Sequence, residues 1–262
     1  MSFNARDDLT RCLQSLHAAP PRSAHEIIVV DNASTDGSPD AARAWSDVQV
    51  IELAQNAGFA RGNNVGIRAS AGDLLLLLNS DTVVPPTAID RLIGELAARP
   101  DVGVIGPRLV DASGRAELSF GRMIGPFNEV RQKLLVRGHA RGLPFVSALV
   151  ERRTRRPQAA DWVSGACLLV RRDDAFAAGL LDERYFMYTE DVDFCAAVRR
   201  KGRVVWFTPD VEIVHARGRS ARAAPAATTA AYHRSRLAFY DKHHPRWAAV
   251  LRLYLKWRGA DT

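Results

Sequence analysis

The first half of the chain alternates short apolar runs with amphipathic segments. The apolar runs predict strands, and they lie at 26–30, 48–53, 74–78 and 102–105. Segments with a helical apolar period lie between them, at 9–16, 39–45, 60–71 and 87–99. Alternation of this kind is typical of an α/β fold. We therefore expect a mostly parallel central sheet flanked by helices.

The pattern weakens in the second half. Residues 115–160 are rich in glycine, proline and arginine, so we expect a loop-rich basic insertion with one helix near 127–136. Apolar runs predict further strands, and they lie at 162–170, 204–207 and 211–214. The predicted organisation is one domain over 1–225, followed by a basic amphipathic helical tail over 226–262.

Composition narrows the class of protein. The chain has 262 residues, 47% of them hydrophobic and 25% charged, which is globular composition. It has no apolar run of about 18 residues, so no spanning helix is expected, and its start does not resemble a signal peptide. Cys12, Cys167 and Cys195 are far apart and form no CxxC motif. We therefore expect neither a disulfide framework nor a zinc site, and we expect a cytoplasmic location.

The net charge of +7 is unevenly distributed. Residues 115–160 carry +7 and residues 196–262 carry +10, whereas the rest of the chain carries −10. Acidic clusters can hold a cation, and basic surfaces can meet phosphate, anionic lipid or nucleic acid. A nucleic-acid partner is not expected, because no helix-turn-helix, zinc-finger or RNP-like pattern accompanies the charge.

Candidate chemistry lies where strands end. Polar clusters follow two predicted strands, at 31–37 and 79–81, and ligands of α/β sheets bind at that edge. Each cluster taken alone is equally well explained as a turn. Asp81 directly follows five leucines, where a divalent cation could join it to a diphosphate. The sequence contains no Walker loop, no GxGxxG and no GxSxG, so the usual phosphate loops and the serine-hydrolase elbow are not expected.

A second acidic cluster begins a predicted helix. Glu190, Asp191 and Asp193 fall in its first turn, behind Thr189 as a plausible N-cap. Acids there are also favoured by the helix dipole alone, so both interpretations stay open. The same holds for Asp182 and Glu183 just upstream.

Five segments occur in a characteristic order and spacing. They are VDNASTDGS at 30–38, NAGFARGNNVG at 56–66, LNSDT at 78–82, DWVSGA at 161–166, and the acidic pairs within 182–193. Together they resemble the GT-A glycosyltransferases of family 2, and most closely the rhamnosyltransferase-like branch. The resemblance covers roughly residues 2–220.

The resemblance implies an inverting transfer of a sugar, with rhamnose as one candidate, from a nucleoside diphosphate donor to a hydroxyl of a glycan or lipid-linked acceptor. It implies that Asp191 is the general base, with Glu190 beside it. The donor-binding residues it implies are Asn4, Asp31, Ser34, Asn56, Gly58, Arg61, Asn64, Asn79 and Asp81. The acceptor-side residues it implies are Trp162, Gly165, Asp182 and Glu183. A Mg²⁺ or Mn²⁺ ion would be held by Asp81 and His215.

Two departures from the family pattern bear on these expectations. The metal segment reads Asn79-Ser80-Asp81, so one acidic ligand is missing. Family members also have an apolar strand ahead of the segment matched by Ser2-Phe3-Asn4, and the sequence begins at that point. Both departures favour the alternative of a catalytically inactive nucleotide-sugar-binding protein.

The tail predicts either core packing or a peripheral membrane contact. Within residues 232–258, an apolar helical side would gather Trp247, Val250, Leu251, Tyr254, Leu255 and Trp257. Arg252 and Lys256 would occupy the opposite side. Aromatic ends and a cationic face are typical of helices that lie in a membrane interface.

Overall fold

The predicted strands and helices of the first half all form, within a few residues of their expected limits. The computed structural model of the chain describes residues 1–216 and 225–258. Its helices are α1 (Arg6–Ala18), α2 (Ser38–Arg43), α3 (Phe59–Ala69), α4 (Ala88–Ala97), α5 (Pro126–Ala140), α6 (Pro144–Thr154), α7 (Arg172–Ala178), α8 (Glu190–Arg200), α9 (Pro225–His243) and α10 (Pro245–Trp257). Its strands are β1 (Ile27–Asp31), β2 (Val48–Glu52), β3 (Leu74–Leu78), β4 (Thr82–Val83), β5 (Val102–Val110), β6 (Phe120–Gly121), β7 (Gln158–Ala160), β8 (Trp162–Val163), β9 (Cys167–Arg171) and β10 (Val204–His215).

The larger sheet is mixed, with the order β3-β9-β5-β10-β4 and with β7 paired to β10. In it β5 and β10 run parallel, whereas β9 is antiparallel to both β3 and β5. A separate parallel pair is formed by β1 and β2. The α/β architecture is confirmed, but the sheet is less parallel than expected. The reason is that β9, from the second half of the chain, inserts between two strands of the first half.

Helices cover both faces of this sheet, and the leucines of β3 pack against the helices on both faces. Leu75 and Leu77 pack into the core beneath α3 and α8, while the alternate leucines of β3 face the core beneath α4. Phe194 and Val198 anchor α8 in the first core, and Leu92 anchors α4 in the second. A strand buried on both sides explains why its sequence shows no apolar–polar alternation.

The insertion at 115–160 is mostly helical, so the expectation of a loop-rich segment is wrong. Helices α5 and α6 begin at Pro126 and Pro144. Proline is well tolerated in the first turn of a helix, because its missing N–H would have no partner there. The partly buried Leu135 of α5 packs against the buried core that holds Val150 of α6. The prolines therefore mark helix starts rather than loops.

The tail joins the core of the domain instead of forming a separate unit. Helix α9 buries Phe239 and Tyr240 against Tyr185 and Val192. Its C-terminal end is tied to α8, because Lys242 and His243 contact the carboxylate of Asp193 at 2.8 and 2.6 Å.

Helix α10 buries one part of its apolar side in the core and leaves the other part exposed. Ala248, Leu251 and Leu255 are buried in the core with α9. A separate exposed stripe is formed by Trp247, Val250, Tyr254 and Trp257. None of the helices in the described part of the chain has both the length and the apolar character needed to cross a bilayer. Cys12, Cys167 and Cys195 are all buried and unpaired.

An apolar cavity of about 690 Å³ separates β1 from β3. Its walls include Val29 of β1, Leu76 of β3 and Leu13 of α1. Among the described strands, β1 is paired only with β2, and β3 only with β9. Ser2 forms a parallel bridge to Asp31 at the end of this cavity. Two strand edges therefore face each other across an apolar space.

An extended apolar segment of five residues fused ahead of Met1 is expected to raise the melting temperature. It would continue the parallel bridge of Ser2 into the cavity, pair with both strand edges and bury apolar surface. Each kcal/mol of added stability shifts Tm by about 2–4 °C in a domain of this size. Calorimetry should be compared with a Gly/Ser fusion of the same length. Equal melting temperatures for the two fusions would mean that the cavity does not accept a strand.

Candidate active site

A cavity of about 580 Å³ opens where β1, β3 and β10 end. This volume is in the range of small-molecule sites, and the edge is the one where α/β sheets bind ligands. The sequence-predicted residues that line it are Asn56, Gly58, Asn79, Asp81, Trp162, Gly165, Glu190, Asp191 and His215. Those that lie outside its lining are Asn4, Asp31, Ser34, Arg61, Asn64, Asp182 and Glu183.

The loop after β1 is organised by side-chain hydrogen bonds. The buried Asp31 accepts a hydrogen bond at Oδ2 from the Ser34 N–H (2.8 Å). Its Oδ1 is also buried and has no hydrogen-bond partner within residues 1–216 and 225–258. Ser34 in turn accepts at Oγ from the Asn4 N–H (2.8 Å). Asn4, Asp31 and Ser34 therefore form one polar cluster behind the cavity wall.

Asn32 joins this loop to the segment ahead of α3, a role that sequence reasoning missed. Its amide donates to Asn56 Oδ1 (2.9 Å) and accepts at Oδ1 from the Ala57 N–H (2.8 Å). Gly58 follows with a φ of +86°, and a Cβ there would lie 2.4 Å from the Phe186 carbonyl oxygen. A glycine is therefore required for the close approach of this segment to the chain ahead of α8.

Asn64 was implied to bind the donor, but in the structure its side chain contacts the turn between α7 and α8. Its side chain donates to the Leu181 carbonyl (2.8 Å) and to Glu183 Oε1 (2.9 Å). Arg61 lies 3.9 Å from the same Glu183 carboxylate, and Asp182 pairs with Lys242 at 2.8 Å. These four predicted residues therefore brace the turn between α7 and α8 from outside the cavity.

Asp81 and His215 meet at the cavity wall. Asp81 Oδ1 lies 3.2 Å from His215 Nε2, and Glu117 Oε2 lies 3.3 Å from His215 Nδ1. Burial alone would lower the pKa of His215, but its hydrogen bonds to Asp81 and Glu117 outweigh that effect and raise the pKa to about 9. Glu117 belongs to no motif in the sequence, so only the fold reveals it.

The residues present fit a hard divalent cation. Asp81 offers a carboxylate and His215 an imidazole, while Asn79 Oδ1 is buried without a partner among the described side chains and backbone. Mg²⁺ and Mn²⁺ prefer oxygen ligands and often bind through one or two carboxylates plus substrate phosphates. In the described residues no cluster of three or more His, Cys, Asp or Glu side chains could hold a metal by itself. A cation here would therefore need ligands from the substrate.

Asp191 lies in the first turn of α8, and backbone N–H groups hold its carboxylate in place. Gly165 donates to Oδ2 at 2.9 Å, and Val192 donates to Oδ1 at 2.8 Å. Ahead of the helix, Tyr188 and Thr189 have φ values of +72° and +69°, which are uncommon for residues with side chains. Such strain is often found at functional sites. The expected Thr189 side-chain cap does not form.

Glu190 is buried beside Asp191, and both carboxyls are perturbed. Burial, followed by the Asp191 charge, raises the pKa of Glu190 well above its ordinary value. Burial also raises the pKa of Asp191, although the hydrogen bonds from Gly165 and Val192 act in the opposite direction. Glu190 Oε2 has no hydrogen-bond partner in the part of the chain that the structure describes. Such shifts are frequent among acid–base catalysts.

The raised pKa of Asp191 predicts that activity is lost at a higher pH than an ordinary aspartate would give. A base must be deprotonated to act, so kcat/KM should fall as pH decreases through the raised pKa. The fall should therefore occur above about pH 3.9, the ordinary aspartate value. The profile should be measured at saturating Mn²⁺, with Tm followed over the same range to separate unfolding from titration. A rate that stays constant down to pH 4 would contradict the shift.

Helices α5 and α9 complete the cavity with residues that sequence reasoning missed. The buried Glu129 of α5 lies 2.7 Å from Lys133 and accepts hydrogen bonds from Arg236 (2.9 Å) and Tyr240 (2.7 Å). Burial would raise the pKa of Glu129, but Lys133 and Arg236 hold it below its usual range. Arg236 and Tyr240 are more than 100 residues from Glu129 in the chain, so no local pattern could have linked them to it.

Comparison with solved structures defines the class of protein. The chain is similar to the mannosyltransferase PcManGT from Pyrobaculum calidifontis in complex with GDP-Man and Mn²⁺ (TM-score 0.62, 19% identity, 96% of this chain and 66% of that one). It is also similar to GalNAc-T7 with UDP, GalNAc and Mn²⁺ (TM-score 0.57, 16% identity, 79% and 41%). The fold is that of the GT-A glycosyltransferases.

Sequence comparison gives the family. The model of glycosyl transferase family 2 matches residues 1–154. The N-acetylglucosaminyl-diphospho-decaprenol L-rhamnosyltransferase of Mycobacterium tuberculosis is 31% identical over 272 aligned residues, covering 98% of this chain and 87% of that protein. The O-antigen biosynthesis protein RfbC of Myxococcus xanthus is 30% identical and covers 84% of this chain, but 17% of RfbC. The chain belongs to glycosyl transferase family 2 and is a glycosyltransferase.

Proposed function

We propose that the protein transfers a sugar with inversion, from a nucleoside diphosphate donor to a hydroxyl of a lipid-linked glycan. The observation that carries this proposal is that Asp191 and the Asp81–His215 pair line the same cavity. Asp191 can act as a proton acceptor, and the Asp81–His215 pair can bind a diphosphate through a cation. Both are needed when a hydroxyl displaces a nucleoside diphosphate.

Asp191 is the proposed general base. It accepts the proton of the attacking hydroxyl while the new bond to the anomeric carbon forms. The two backbone N–H groups that bind its oxygens keep the carboxylate in one orientation, and a raised pKa makes it a stronger base than an exposed aspartate. General base catalysis of this kind typically contributes about 10²–10⁴-fold.

Asp81, His215 and Asn79 are the proposed protein ligands of Mn²⁺ or Mg²⁺. When bound, the cation would offset the negative charge that grows on the departing diphosphate. His215 must lose its proton to act as a ligand, so binding at this position would release a proton and be favoured at higher pH. Glu117 would orient the imidazole from its other nitrogen, at 3.3 Å.

Donor recognition is proposed for the loop after β1 and for the segment ahead of α3. Asn56 and Gly58 line the cavity, and Asn32 fixes both to the end of β1. Asp31, Ser34 and Asn4 would act through this loop, because they stand behind the cavity lining. Trp162 and Gly165 are the proposed acceptor-side residues that line the cavity.

Rhamnose and a polyprenyl-linked acceptor are the proposed substrates. The support is the activity of the mycobacterial relative, an L-rhamnosyltransferase that is similar over 98% of this chain. We further propose that the protein acts at the cytoplasmic face of a membrane and contacts it through residues 232–258. The exposed aromatic side chains of α10 and the three unpaired cysteines support this location.

The test is a panel of nucleoside diphosphate sugars, including a rhamnose donor and GDP-mannose, assayed with Mn²⁺ and a polyprenyl diphosphate-linked N-acetylglucosamine. Mass spectrometry should detect an added deoxyhexose with the rhamnose donor. Addition of a different sugar would show that rhamnose is not the sugar transferred and would identify the donor. Donor binding without transfer to this acceptor would support the inactive binding protein and overturn the proposed transfer.

A further inference from the structure

Helix α10 presents a second apolar stripe that the core does not use. Its inner side is filled by Ala248, Leu251 and Leu255. Trp257 on the outer stripe is 81% exposed, and Val250 and Tyr254 are about half exposed. Large apolar side chains rarely cluster on a free protein surface without an interaction partner.

Helix α5 has the same division into two sides. Its inner side carries Glu129 and Lys133, which line the active-site cavity. Its outer side carries Phe127, Val130 and Leu134, all of them exposed, with Phe127 at 81%. These three residues are spaced three and four apart, so they form one stripe along the helix.

The two outer stripes meet. The rings of Phe127 and Trp247 are 6.4 Å apart between centroids and nearly perpendicular at 75°. This is the edge-to-face arrangement that aromatic pairs favour. The stripes of α5 and α10 are therefore parts of one continuous surface, here called the α5–α10 face: Phe127, Val130, Leu134, Trp247, Val250, Tyr254 and Trp257.

The charge around the α5–α10 face is basic. The exposed side chains of Arg131 and Arg137 lie on α5, and that of Arg246 lies on α10. Helix α10 contains no acidic residue, and the one acidic residue of α5, Glu129, is buried and paired. Aromatic and aliphatic side chains interspersed with cations suit the interface of an anionic bilayer.

We propose that the α5–α10 face docks on an anionic membrane and places the active-site cavity beside the bilayer. This proposal deepens the proposed function, since it assigns the membrane contact to the insertion as well as to the tail. Helix α5 is the physical link, because one side would lie on the lipid while the other lines the cavity. A lipid-linked acceptor could then reach the site without leaving the membrane.

The test is co-sedimentation with vesicles of equal parts phosphatidylglycerol and phosphatidylcholine, and with pure phosphatidylcholine vesicles. Two double variants remove one stripe each, namely Phe127→Ser with Leu134→Ser, and Val250→Ser with Trp257→Ser. Phe176→Ser is the matched control, because Phe176 is an exposed aromatic residue of α7 outside the face. Circular dichroism and Tm establish that each variant is folded.

We expect each double variant to weaken binding to anionic vesicles at least 10-fold, the control to bind normally, and pure phosphatidylcholine to bind the wild type less. Loss of binding only in the α10 variant would overturn the role of α5. No binding by the wild type, or equal binding to both vesicle types, would overturn the anionic membrane. Light scattering that shows a dimer broken by the same variants would assign the face to a second copy instead. Vesicle binding needs no turnover, so these outcomes are separate from any failure of the transfer reaction.

Discussion

Replacement of Asp191 by asparagine is expected to lower kcat about 10²–10⁴-fold, the range typical for loss of a general base. Donor affinity should change little, because the carboxylate is held by Gly165 and Val192 and not by the residues around Asp81. Asparagine has the same size but cannot accept a proton at neutral pH. The measurement is steady-state kcat and KM, together with the donor Kd from calorimetry.

The matched control is Asp173→Asn, which removes an exposed acid from the first turn of α7 without touching the cavity. It should leave turnover unchanged. Both oxygens of Asp191 accept backbone hydrogen bonds. In the asparagine variant the side-chain NH₂ group would face one of these backbone N–H donors, and the loss of that hydrogen bond would lower the free energy of unfolding by about 1–3 kcal/mol. Activity is therefore compared well below the Tm of the variant. Near-wild-type turnover would transfer the base assignment to Glu190.

Asp81→Ala is expected to abolish the cation dependence of donor binding. The substitution removes the only carboxylate of the segment 79–82 after β3. Of the two acidic residues that contact His215 in the described part of the chain, Glu117 remains. Removing a residue that only hydrogen-bonds to a metal ligand typically weakens metal affinity about 10–100-fold. Removing the ligand itself should weaken the Mn²⁺ affinity by at least that factor. The measurement is the Mn²⁺ Kd by electron paramagnetic resonance, followed by the donor Kd with and without Mn²⁺.

Glu183→Gln is the control for Asp81, because Glu183 is an acidic residue that braces the α7–α8 turn from outside the cavity lining. It should retain the effect of Mn²⁺ on donor binding. A wild-type enzyme that remains fully active in excess chelator would refute the metal role altogether. An unchanged Mn²⁺ Kd in Asp81→Ala would locate the cation elsewhere.

Local pattern was sufficient to predict the first half of the fold. The five leucines of β3 specify a strand buried on both faces, and Asp81 follows at the sheet edge where the cavity opens. Strand direction was not predictable in this way, because a five-residue apolar run such as β9 has the same sequence character in either orientation. The position of β9 between β3 and β5 depends on packing between distant parts of the chain.

The site was predictable only as far as its motifs extend. Asp81 and Asp191 fall in recognisable segments, and both line the cavity. Glu117 and Glu129 come from the insertion, and they contact His215 and Arg236, which are distant in sequence. The motif that contains Asn64 implied a donor-binding role, and it did not predict that its amide binds Leu181 and Glu183.

The anomeric configuration of the first product tests the central claim most directly. The claim is that Asp191 deprotonates a hydroxyl that displaces the nucleoside diphosphate in one step, from the opposite face of the sugar. Proton NMR of the product, formed with the donor that the panel identifies, should show the configuration opposite to that of the donor. A product that retains the configuration of the donor would contradict a single displacement and, with it, the role assigned to Asp191.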